Sequence, residues 1–100
     1  MKYTELITTY LRDDKLLVFP ARRKPRVACL IWLSKYFKTN VIYTETQVND
    51  IIKAHTLFSD HEFVRRELIM NKILGREKDG SKYWKEKKQP KFDEYGFMED

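Results

Sequence analysis

Four cations fall within five residues: Arg22, Arg23, Lys24 and Arg26. Arg65 and Arg66 stand side by side further on, and Lys78 and Lys82 flank an Asp-Gly pair. Guanidinium and ammonium groups grouped this way bind phosphates. Arginine also reads guanine through its fork of donors. The groups that could do bond-breaking chemistry are sparse by contrast: His55, His61 and one cysteine, Cys29. Cys29 lies in the most apolar stretch and reads as packing. His55, Asp60 and His61 straddle a turn, and no His-x-x-x-His or Cys-x-x-Cys spacing supports a metal site. The three glycines are too far apart to cradle a phosphate, and Ser59 reads as a helix cap. The expectation is therefore a protein with no catalytic residue, no metal and no cofactor.

Charge placement sharpens the phosphate reading. The chain has 20 basic and 15 acidic residues, a net of +5. Residues 86–100 alone are net −2, so residues 1–85 are net +7. From Lys15 to Thr44 there are seven basic residues and no acid. Such a run is either a solvated face or a surface that meets phosphates.

The elements that must carry these residues follow from spacing. Tyr3, Leu6, Ile7, Tyr10 and Leu11 make one helical stripe, with Asp13-Asp14 beyond it. Leu16–Phe19 is a short extended run that stops at Pro20. A central helix, apolar around most of its circumference, begins near Lys24 with Pro25 at its first position. Val41-Ile42-Tyr43 reads as a short strand. Two capping boxes follow, Thr44 with Gln47 and Ser59 with Glu62. The first opens a helix with Val48, Ile51, Ile52 and His55 inward. The second opens one that runs to Met70, with Val64 and Leu68 inward, and ends at Asn71-Lys72. Residues 73–77 and 81–85 form a hairpin around a two-residue turn at Asp79-Gly80, with Arg76 opposite Tyr83 and Gly75 opposite Trp84.

This order predicts an α+β, mainly helical fold: a winged helix-turn-helix with an extra N-terminal helix and a C-terminal tail. Residues 1–21 pack on the core, 22–85 form the winged-helix domain, and 86–100 are a charged, aromatic tail, mobile or docked on something else. The strand at 41–43 joins the hairpin in a three-stranded sheet. No apolar run reaches the roughly 18–20 residues needed to cross a bilayer, and the N-terminus lacks a signal-peptide core. With a lone cysteine, these features point to the cytoplasm.

The segments FPARRKPRV, VIYTETQVNDII, FVRRELI and DGSKYW make residues 10–85 resemble the bacterial domain family of unknown function numbered 2087. Members of that family occur alone or at the end of helix-turn-helix regulators, including arsenic-repressor-like ones. The resemblance implies a regulator-like context. Two positions depart from it: Pro25 replaces a basic residue, and Lys72 replaces a helix-ending glycine.

The function expected is a DNA-binding or transcription-regulating domain on double-stranded DNA. Arg22, Arg23, Lys24 and Arg26 would lie on phosphates, Arg65 and Arg66 on the helix that enters the major groove, and Lys78 and Lys82 on the wing. Each feature has a structural counter-reading. The cluster at 22–26 also suits a solvated loop, or a surface that faces the family's usual neighbour domain. Arg65 and Arg66 also suit pairing with Glu62 or other acids, and a lysine-bearing edge also blocks strand pairing. Asp60 and Glu62 repel phosphate, although Glu62 suits a cytosine amine. Ile69, Met70 and the tail's aromatics favour the alternative, a non-catalytic protein-interaction module or a homodimer.

Overall fold

The structure, a computed structural model, describes residues 2–91. The elements are α1 (Tyr3–Thr8), β1 (Leu11–Arg12), β2 (Lys15–Leu16), α2 (Arg23–Ser34), α3 (Glu45–Ala54), α4 (His61–Met70), β3 (Leu74–Arg76) and β4 (Tyr83–Lys85). They make an α+β domain of four helices and two small antiparallel sheets, β1-β2 and β3-β4. One core joins them. Leu16, Ala28, Cys29, Leu30, Leu33, Val48, Ile52, Val64, Leu68 and Ile73 are all 0% exposed. α2 buries seven of its twelve residues, which makes it the central helix that its all-round apolar character requires.

Several local expectations hold in atomic detail. Thr44 Oγ1 accepts from the Gln47 backbone N–H at 3.1 Å, and Gln47 Oε1 accepts from the Thr44 N–H at 2.8 Å, a complete capping box. Arg76 is paired with Tyr83 and Gly75 with Trp84. The Trp84 ring covers Gly75 closely, with its indole N–H on Glu86 Oε1 at 2.8 Å. Lys72 turns the chain out of α4 at φ 63°, doing with an L-residue what a glycine does without strain.

Elsewhere the chain departs from the expectation. α1 ends at Thr8 rather than running through Leu11, because Asp13 and Asp14 both take left-handed φ, 53° and 59°. Two such residues make the mirror-image turn whose twist suits a hairpin. Leu11 and Arg12 therefore pair with Leu16 and Lys15. The expected two-residue turn at Asp79-Gly80 is instead a loop over residues 78–81. Glu77 N–H donates to Lys82 O and Gly80 N–H to Glu77 O. Only Gly80 has positive φ, at 76°. The Ser81 N–H donates to the Asp79 carboxylate, and the Ser81 side chain together with this N–H holds that carboxyl below its ordinary pKa. The pairing register is unchanged, because the loop grows by one residue on each side.

The strand expected at 41–43 contributes a single bridge, Tyr43 to Tyr83. Asn40 at φ 61° and the Thr44 cap bracket it too closely for a ladder, so among the described residues no three-stranded sheet forms. α2 opens at Arg23, which puts Pro25 at its third position. Its missing N–H still falls among the first-turn donors that lack a helical partner. The second capping box, Ser59 with Glu62, is absent. α4 starts at His61 after Asp60, at φ −147° and ψ 42°, with no side-chain cap.

Among the described residues no helix is long and apolar enough to cross a membrane. The tail expected to be mobile or docked falls, from residue 92 on, outside the described residues. Before that point, Gln89 donates to Ile73 O at 3.0 Å and so ties residues 86–91 to the hairpin's base.

Candidate nucleic-acid interface

Of the predicted cations, Arg65 and Arg66 lie on α4, and Arg26 and Arg23 come against its side. Val64 and Leu68 face the core at 0% exposure. That orientation leaves Glu62, Arg66 and Met70 exposed, with Arg65 and Ile69 half-buried on one flank. The spacing rule that puts i, i+4 on one side fixes this outcome.

The four cations at 22–26 divide into two kinds. Arg22, the residue before α2, is exposed, as are Arg23 and Lys24 in its first turn. Arg26 turns inward. Its guanidinium lies 5.1 Å from the Phe19 ring centroid and 4.8 Å from that of Phe63. Its Nε donates to Pro20 O at 2.9 Å and its Nη1 to Glu67 Oε1 at 2.9 Å. One side chain thus ties the β2–α2 connection and α2 to the middle of α4. The ring contacts and the charge-assisted bonds work together there, since both strengthen as water is excluded.

Arg65 and Arg66 divide the same way. Arg65 Nη1 donates to Asn49 Oδ1 at 2.5 Å, and its Nη2 lies 3.5 Å from Glu45 Oε1, both on α3. Glu45 also accepts from the Tyr83 hydroxyl at 3.1 Å. The arrangement closes a triangle of α3, α4 and β4. Arg66 makes no ion pair among the described residues and points outward.

Two depressions lie on either side of Met70. One is lined by Arg23, Glu67, Met70, Asn71 and Lys72. The other, of about 450 Å³, is lined by Glu45, Arg65, Arg66, Ile69, Met70, Arg76 and Tyr83. The start of α2, the outer face of α4 and the base of the β3-β4 hairpin therefore adjoin one another around one exposed methionine. Lys78 and Lys82 are exposed at the hairpin loop, farther out. Arg76, at the base of the hairpin, lines this surface. Sequence reasoning assigned no role to Glu45, Asn49 and Glu67, which engage the two inward arginines. One signal was present: Glu45 and Asn49 are four apart and so share a face of α3.

The residues with catalytic potential are elsewhere or buried. Cys29 is enclosed, and burial pushes its thiol pKa up to about 12. His55 sits at the end of α3 against Tyr36, with ring centroids 3.5 Å apart. Its pKa is lowered by burial and by Lys15 and Lys35. Among the described residues no three His, Cys, Asp or Glu side chains gather as a metal site would require.

No curated protein and no solved structure matches this chain. A family profile does: DUF2087, described as uncharacterized proteins conserved in bacteria, matches residues 15–85. That span contains every core element from β2 to β4, and the chain belongs to the DUF2087 family.

Proposed function

We propose that this chain is a winged-helix domain that binds double-stranded DNA in the cytoplasm as part of transcription regulation. α3 and α4 act as the helix-turn-helix and the β3-β4 hairpin as the wing. Arg22, Arg23 and Lys24 lie on phosphates along one side of α4, and Lys78 and Lys82 on the other. Arg66 faces base edges. Arg26 and Arg65 hold α4 in place rather than meeting the duplex, because their guanidinium groups are engaged by Glu67 and by Asn49 and Glu45. No catalytic step is assigned.

One observation carries the reading: the two depressions that share Met70 join the basic start of α2 to the basic base of the hairpin across α4. A helix flanked on both sides by cations is what a reading helix between two phosphate strands needs. Anisotropy of a labelled duplex tests it. With about four to six phosphate contacts, log K falls by roughly 4–5 per tenfold rise in salt. Replacing Arg22 and Arg23 by alanine flattens that slope by about one to two. Arg66→Ala reduces discrimination at one base pair by roughly 1–3 kcal/mol. One observation favours a second reading: Met70 is 73% exposed in the middle of the face, which suits a protein partner. Absence of duplex binding near 50 mM salt at high protein concentration replaces the DNA reading with that one.

A further inference from the structure

The groove between α4 and the β3-β4 hairpin has a composition that a phosphate backbone would only half use. Three guanidinium groups line it, from Arg65, Arg66 and Arg76, against one carboxylate, Glu45. Glu45 is already taken up by Arg65 and by the Tyr83 hydroxyl. Among the described residues neither Arg66 nor Arg76 has a carboxylate partner. Ile69 and Met70 supply an apolar lining between these charges, and Met70 is 73% exposed. We propose that this groove is the binding site of a small organic anion, a carboxylate on an aromatic or aliphatic stem, and that its occupant competes with DNA for α4.

Size, charge and lining each narrow the occupant. About 450 Å³ lies within the range of pockets that hold a single small ligand. The planar fork of an arginine matches a carboxylate with two parallel bonds, and Arg66 and Arg76 present two such forks. The methionine and isoleucine side chains gain nothing from a phosphate but bury an apolar stem, and methionine adapts its shape to one. Competition with DNA rests on the reading above; binding of the anion does not. A ligand seated against Arg66 neutralises the residue assigned to base edges and fills the space beside it.

Titration of the isotope-labelled full chain with 2-naphthoate, followed by backbone amide NMR, tests the site. The amides of Arg65, Arg66, Ile69, Met70, Arg76 and Tyr83 are expected to shift saturably. Neutral 2-naphthamide, the same shape without charge, binds at least about tenfold more weakly, as does naphthoate to Arg76→Ala. Met70→Glu, at an exposed position that tolerates change, sets a carboxylate in the lining and weakens naphthoate to a similar extent. Amide shifts that fall outside the groove, or equal binding of naphthoate and naphthamide, overturn the site. In the duplex assay, naphthoate at ten times its Kd raises the apparent Kd for DNA about tenfold. Simultaneous binding of both overturns the competition. A duplex that never binds removes the DNA reading and the competition with it, while the NMR titration still decides the site.

Discussion

α3 and α4 are ten residues each and pack against one another, but their first turns are held by different forces. The start of α3 is closed by its own neighbours in sequence. Thr44 and Gln47 satisfy each other's backbone N–H groups, and Glu45 adds an acid to the positive end of the helix dipole. The start of α4 has no side-chain cap. What holds α4 comes from a distance: Phe63 against Phe19 at 5.7 Å, Glu67 to Arg26, and Arg65 to Asn49 and Glu45. The start of α4 is thus held by tertiary contacts alone, whereas the start of α3 is closed by local chemistry and tied by Glu45 to Arg65 and Tyr83 as well.

Removing the long-range tie should cost most. Glu67→Ala leaves the Arg26 guanidinium, whose side chain is 22% exposed, without its carboxylate. A loss of about 2 kcal/mol in urea unfolding is expected. A loss below about 0.5 kcal/mol would show that the Arg26–Glu67 pair adds little to what holds α4. Next comes the local tie. Thr44→Ala removes the Oγ1 acceptor of the Gln47 N–H, one half of the capping box, and should cost about 1 kcal/mol. The matching change at the start of α4, Asp60→Ala, should cost only a few tenths, because no cap bond is lost. Equal losses for the two would erase the contrast between the helices.

The smallest effect is on pH, at the far end of α3. The pKa of His55 is lowered in the folded state by burial, Lys15 and Lys35. The unfolded chain therefore binds its proton first as pH falls. Stability linked to His55 is full above its ordinary pKa of about 6.5 and declines as pH drops below that value, until the folded state also protonates. His55→Gln should flatten that shallow decline in melting temperature between pH 7 and 5. An unchanged slope would place the decline in other groups.

Helices whose signals are local could be read from the residues. The Thr44-Gln47 box, the Val48–Ile52 stripe and the Val64–Leu68 stripe depend on neighbours three and four apart. The hairpin register, too, was legible through Gly80 and the pairing of Trp84 with Gly75. The first hairpin was not. Tyr10 and Leu11 extend the helical stripe of α1 by period, and nothing in the sequence weighs that against two consecutive aspartates in left-handed geometry. A single bridge at Tyr43 was likewise invisible, since strand propensity at Val41-Ile42-Tyr43 does not report the strain of Asn40 beside it.

The residues by themselves determined where cations cluster, which face of each helix turns inward, and that one apolar helix lies at the centre. These follow from side-chain period and from the cost of burying charge. Only the tertiary structure decided which of those cations meet solvent. Arg22 and Arg26, or Arg65 and Arg66, are alike in type and nearly adjacent in sequence. A carboxylate more than forty residues from Arg26, and an asparagine sixteen residues from Arg65, draw one of each pair inward. Such partners come within reach only when α2, α3 and α4 are packed together, so no local pattern records them.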